Sequence, residues 1–211
     1  MKRKIKPYLV FCLGVFIGAF GMALITKANI GLTPIACLPF VFYLATPLTF
    51  GMTLCIMNMI FVLAQVAILG KDFEKFQYLQ FFVAFLLGFF VDINMYILKM
   101  FNPEIYFLKI AALILGCVIM GLGISIQIKQ NLLLLPGDGL VKAICDKISQ
   151  EFGYIKIAVD SAVVILAFFA SLALLGTIEG IREGTIILAL LTGLCIKFFL
   201  QKFNMPAKNN N

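Results

Sequence analysis

The chain contains no histidine and no tryptophan, and only 13% of its 211 residues are charged. Without imidazole there is no histidine base, no histidine metal ligand and no Ser-His or Cys-His nucleophile pair, so most hydrolase chemistry is excluded. The scarcity of charge excludes an ordinary water-soluble core. Soluble domains keep about 25% charged and roughly 45–50% apolar residues, whereas this chain is 63% hydrophobic with a mean hydropathy of +1.07. A domain of this length leaves too much surface in water to hide so many apolar side chains, so the solvent is lipid. The cysteines (Cys12, Cys37, Cys55, Cys117, Cys145 and Cys195) never fall in a CxxC spacing. Most sit within apolar runs, so they read as packing thiols; neither a zinc site nor a secreted disulfide framework is indicated.

Only helices or closed barrels satisfy the backbone inside a bilayer, and a helix needs about 20 apolar residues to cross it. The long apolar runs do not alternate, which favours helices. Spans are expected at Tyr8–Thr26, Thr49–Gly70, Phe76–Leu98, Ile105–Ile128, Ile157–Gly176 and Gly184–Leu200. Two further segments are too short or too polar to cross alone. Pro34–Pro47 is apolar but carries three prolines; Pro136–Gln150 carries Asp138, Lys142, Asp146 and Lys147. Each reads as a short helix that either re-enters the membrane or lies along its surface. The MKRKIK start and the run after it read as the first anchored helix, since no A-x-A cleavage pattern follows. Lys and Arg are enriched on the cytoplasmic side of membrane proteins. With six spans and the N-terminus inside, only Lys27, Lys99, Lys109 and Arg182 of the basic residues remain outside. Both termini are therefore expected in the cytoplasm.

A displacement of 102 residues, the distance from Gly14 to Gly116, also superposes Gly21 on Gly123, Lys27 on Lys129, Asn29 on Asn131, Pro34 on Pro136, Gly51 on Gly153 and Asn58 on Asp160. After a short insertion the register continues with Gly88 on Gly193. The chain thus reads as two halves of one design, residues 1–102 and 103–211. Three spans per half is odd, so the halves lie upside down to each other. The expected fold is an all-α polytopic membrane protein of six transmembrane helices in a 3+3 inverted repeat, each half with a short helix begun by proline.

Inverted repeats are common in secondary transporters, where interrupted helices at matching places mark the binding site; here Pro34 and Pro136 mark them. An intramembrane carboxylate is costly and therefore a functional candidate, and there are two, Asp92 and Asp160. Asp160 and its repeat mate Asn58 suit an asymmetric ion or proton site facing a central cavity. The competing reading pairs Asp160 with Lys156, one turn earlier. Asp92, next to Asn94, reads as a helix cap or as a substrate ligand. Lys27 with Asn29, and Lys129 with Asn131, either form an anion site with the start of the short helices or anchor helix ends among headgroups. Lys197 reads as snorkelling to the inner face. Gly14, Gly18 and Gly21, and Gly116, Gly121 and Gly123, indicate close helix packing. The GDG at Gly137–Gly139 lacks the context of a nucleotide loop, and Asp138 reads as the N-cap of the second short helix. The tail Lys208–Asn211 reads as solvated.

The Gly-rich first helix leading to Asn29-Ile30-Gly31-Leu32-Thr33-Pro34, and the later Leu135-Pro136-Gly137-Asp138-Gly139-Leu140 and Arg182-Glu183-Gly184-Thr185, resemble the YczE/YyaS/YitT family of bacterial integral membrane proteins. The resemblance covers nearly the whole chain. It implies a small inner-membrane protein of five or six helices with no defined set of catalytic residues. Three functions stand open: a secondary carrier of a small solute, a substrate-binding subunit of an ATPase-driven importer, or a membrane assembly factor without substrate. An enzyme is not expected, since no nucleophile-base pair or metal cluster is present. The partners implied are membrane lipid and a small-molecule solute, with a homodimer or another membrane protein left open; no cofactor and no nucleic acid are implied.

Overall fold

The computed structural model describes residues 2–203, the side chains of residues 2–4 excepted; the tail Lys208–Asn211 lies outside them. The described chain is helical: α1 (Lys2–Ala28), α2 (Pro34–Ala45), α3 (Phe50–Leu69), α4 (Leu79–Ile97), α5 (Tyr106–Gln130), α6 (Pro136–Ile148), α7 (Phe152–Leu175) and α8 (Glu183–Lys202), with short 3-10 turns flanking α4. Six of these are long and apolar enough to cross a membrane. Their outward faces carry Leu63, Phe82, Phe85, Phe89 and Leu190, each more than half exposed. Such continuous apolar surface is tolerated in lipid and not in water.

Local chemistry sets the boundaries. Pro34 and Pro136 occupy the first turns of α2 and α6, where a missing N–H costs nothing. Thr49 caps α3, its hydroxyl accepting from Met52 N at 3.1 Å. Asn29 and Asn131 terminate α1 and α5 with φ of 52° and 48°, the left-handed backbone that Asn tolerates better than most residues. The sequence places the start of the fifth span at Ile157; the helix begins a turn earlier, at Phe152, because Lys156 is neutralised within the protein. Asp138 is not the N-cap of α6. Leu135 holds that place because Pro136 starts the helix, which leaves Asp138 in the first turn.

The helices fall into two groups. One holds α1, α4, α5 and α8, joined by α1–α5, α1–α4 and α5–α8 contacts; the other holds α2, α3, α6 and α7, joined by α2–α7, α3–α6, α2–α3 and α6–α7. An α3–α4 contact links the groups. So do the loops, where Leu32 N donates to Gly180 O at 3.1 Å and Gly184 N to Ile30 O at 2.8 Å.

Small residues let α1 and α5 run antiparallel in direct backbone contact. A Cβ at Gly14 would lie 2.9 Å from the Gly123 oxygen, and one at Gly21 would lie 2.6 Å from the Gly116 oxygen. Gly121 faces elsewhere, against Cys195 of α8. In Gly123→Val the added carbons meet the backbone of Gly14 and Gly18, which cannot turn aside as a side chain can. The expected loss is about 3 kcal/mol, the upper end of the usual cost of overpacking. Thermal unfolding in detergent reads it as a lower midpoint; an unchanged midpoint contradicts the close packing.

Candidate functional site

The first turns of α2 and α6 meet inside the second group of helices. Ile35 of α2 reaches the backbone at Gly137 of α6 so closely that a Cβ there would collide with Ile35 Cδ1. Ala36–Val41 of α2, and Pro136, Gly137, Gly139, Leu140 and Val141 of α6, are buried. Ala143 and Cys145 of α6 are buried as well, so both short helices are packed into the protein along much of their length. Each helix start carries partial positive charge.

Beside this meeting point lies a cluster of three charges. Lys156 Nζ of α7 stands 3.1 Å from Asp138 Oδ1 of α6 and 3.1 Å from Asp160 Oδ1, one turn along α7. The side chains are 31% (Lys156), 36% (Asp138) and 22% (Asp160) exposed. Asp160 Oδ1 is shut away from solvent and has no well-aligned hydrogen-bond donor, and the ammonium 3.1 Å away is what holds it. One ammonium thus faces two carboxylates, and the carboxylate of Asp138 already answers the positive end of α6. No acidic residue does so in the first turn of α2.

A second polar contact fixes the depth of α6. Gln65 Nε2 of α3 donates to Gln80 Oε1 of α4 and to the Pro136 carbonyl, both at 3.0 Å, and all three residues are buried. Gly139 allows this approach, since a Cβ there would lie 2.7 Å from Gln65 Oε1. Sequence reasoning passed over Gln65 and Gln80, although an amide within an apolar span is a detectable signal.

The structure brings together some of the candidates named from sequence and separates others. Asp160 pairs with Lys156 and shares it with Asp138. Asn58 is buried in α3 and donates Nδ2 to its own Leu54 carbonyl at 2.8 Å. Both short helices pack between α3, which carries Asn58, and α7, which carries Asp160. Asp92 lies apart from the cluster and joins α4 to α3. Its carboxylate accepts from Thr49 Oγ1 at 2.5 Å and from Gly51 N at 2.8 Å, which makes it a cap supplied by a neighbouring helix. Its neighbour Asn94 folds back to the Phe90 carbonyl at 2.7 Å. Lys27 lies in the last turn of α1, and the carbonyl of Asn29 accepts from Arg182 Nη1 at 3.0 Å. Lys129 sits 4.8 Å above the Phe203 ring, at the far end of α8. Pro34 and Pro136 begin the two helices that meet. The cysteines are free thiols.

Two open hollows lie away from the charges. One is lined by Asp72, Glu74, Gln77, Lys142, Asp146 and Lys147 at the ends of α3 and α6. The other is apolar and runs along α7 past Val164, Ile165, Phe168, Phe169 and Ile181. Neither includes Asp138, Lys156 or Asp160, so hollow shape and buried chemistry point to different places. The charge cluster is the better candidate, because charge held within an apolar helical protein is costly to keep.

Six helices long and apolar enough to cross a membrane, with two short helices packed between α3 and α7, fit a multi-pass helical membrane protein. The chain belongs to a family of unknown function, DUF6198, whose family model matches residues 5–201. No curated protein and no solved structure matches it.

Proposed function

We propose that the protein is a secondary carrier of a small polar solute, built as a 3+3 inverted repeat whose halves, residues 1–102 and 103–211, enclose a site where α2 and α6 meet. The reading rests on one observation: the first turns of two proline-initiated helices touch, Ile35 against Gly137, beside Lys156, Asp138 and Asp160. Interrupted helices at matching places are the usual binding elements of inverted-repeat carriers. Reciprocal contacts support the repeat. The displacement that carries Gly14 to Gly116 and Gly21 to Gly123 exchanges the Gly14–Gly123 and Gly21–Gly116 contacts, and it likewise exchanges α2–α7 with α6–α3.

Excess carboxylate in the cluster favours a solute with a positive group, or a proton. The first turn of α2 carries no acidic residue of its own, so its positive end favours a carboxylate on the solute. A zwitterion such as an amino acid satisfies both. The distribution of Lys and Arg supports a cytoplasmic face bearing both chain ends, and the resemblance to YczE/YyaS/YitT proteins supports the bacterial inner membrane. Transport of this kind draws on an ion or solute gradient and needs no ATPase partner.

The test is thermal unfolding of the purified protein in detergent against amino acids, amines, vitamins, metabolites and anions at two pH values. A ligand of the folded state raises the midpoint in proportion to the logarithm of its concentration over its dissociation constant. A zwitterionic or cationic hit supports the reading. A flat panel with a clean transition contradicts it and favours an assembly role.

A further inference from the structure

Each extensive helix-helix contact in one half of the chain has a counterpart in the other, with one exception. The α1–α4 contact answers to α5–α8, α2–α3 to α6–α7 and α2–α7 to α3–α6, but the close α3–α4 contact has no α7–α8 equivalent. The residues that make it are present in both halves. In the first, Gly51 and Gly88 bring the backbones of α3 and α4 together, and a Cβ on either would strike the other's carbonyl oxygen. Asp92, one turn beyond Gly88, then accepts from Thr49 Oγ1 at 2.5 Å and Gly51 N at 2.8 Å. The repeat mates of the two glycines are Gly153 at the start of α7 and Gly193 in α8, and both face open space, with nothing within 4 Å of an added Cβ. The mate of Thr49 is Glu151, which stands at the cap position of α7 as Thr49 does in α3. The mate of Asp92 is Lys197, one turn beyond Gly193. Glu151 and Lys197 are both exposed, and neither has an ion-pair partner among the described residues.

A hydroxyl-carboxylate pair in one half is thus replaced by a carboxylate and an ammonium in the other, which is complementary in charge though currently apart. The two pairs lie on opposite faces: Thr49 and Asp92 away from the chain ends, Glu151 and Lys197 on the face that carries them. We infer that the structure is one end state of a two-state protein, closed by Thr49–Asp92 on one face, and that Glu151 and Lys197 form the latch of the other state. In that state α7 closes on α8, Gly153 meets Gly193, and the Glu151 carboxylate pairs with the Lys197 ammonium while α3 and α4 part. Neither glycine has the positive φ that gives Gly70 and Gly176 their use, so close approach of another backbone is the use that Gly153 and Gly193 are fitted for. The inference rests on the carrier reading for its purpose, and on the paired contacts alone for its geometry.

A carbodiimide joins a carboxylate to an amine only when the two touch, and because the amide is permanent it accumulates even from a minor state. Detergent-solubilised wild-type protein is treated with a water-soluble carbodiimide, digested and searched by mass spectrometry for the Glu151–Lys197 amide. The link is expected in wild type, absent in Glu151→Gln, and roughly tenfold more abundant in Asp92→Ala, which loses hydrogen bonds to a charged group on the opposing latch. Absence of the link from both wild type and Asp92→Ala, with both proteins folded by their unfolding transitions, overturns the latch. A link of equal yield in wild type and Asp92→Ala overturns the coupling between the two faces. The result is separable from the carrier reading. A link in a protein that moves no solute keeps the latch and removes the carrier, whereas solute movement without the link does the reverse.

Discussion

Lys156→Met is expected to cost more stability than any other single change in the charge cluster. It removes the one ammonium and leaves Asp138 and Asp160 facing each other inside an apolar helical protein. Breaking a fully buried pair costs about 3–5 kcal/mol. These side chains are 22% to 36% exposed, so solvent takes up part of the penalty and about 1–3 kcal/mol is expected. The control is Lys156→Met combined with Asp160→Leu, which removes one of the two stranded carboxylates. Partial recovery of the unfolding midpoint in the double variant shows that uncompensated charge, rather than lost packing, caused the loss. A double variant no more stable than Lys156→Met contradicts the charge account.

Asp160→Asn is expected to act in the opposite manner, with little loss of stability and a large loss of function. The Lys156–Asp138 pair survives it, and Asn has nearly the shape of Asp. The change removes a carboxylate whose Oδ1 is buried without an aligned donor, the feature that suits it to take up a proton or a solute cation. Midpoint shifts produced by the best ligand are expected to fall at least tenfold in apparent affinity, about 1.4 kcal/mol. Transport by Asp160→Asn is expected to lose its dependence on pH. Transport that varies with pH as wild type does removes Asp160 from any coupling role.

Much of the fold was legible in the sequence because lipid imposes simple rules. Uncharged runs of sufficient length had to be helices, and matched glycines at Gly14 and Gly116, Gly21 and Gly123 marked the surfaces on which α1 and α5 approach. Charge inside the protein was harder to read. Lys156 ended the apolar run of α7 in the sequence, yet two carboxylates, one from a different helix, allow the helix to continue through it. Asp138 has the identity of an N-cap, but Pro136 fixes the helix start two residues earlier and turns Asp138 toward Lys156. Asn58 was paired with Asp160 by repeat position alone. Its amide nitrogen is satisfied within its own helix, and α2 and α6 pack between the two helices concerned. The Gln65–Gln80–Pro136 contact joins three helices, so no local pattern reveals it. Nor does any pattern in the sequence reveal that α7 stands apart from α8, because the glycines that would close them are present.

The most direct test of a carrier is counterflow by the purified protein alone. Liposomes of phosphatidylethanolamine and phosphatidylglycerol containing the protein are loaded with the unlabelled solute that most raises the unfolding midpoint, then diluted into a trace of the same solute carrying a radiolabel. A carrier exchanges one molecule for another, so the label accumulates transiently above its external concentration, without ATP and without an imposed ion gradient. That overshoot is the expected result, and in Asp160→Asn it is expected to need higher solute concentration and to no longer vary with pH. A solute that binds yet gives no overshoot contradicts the account and leaves a binding subunit, while simple equilibration without overshoot leaves a channel.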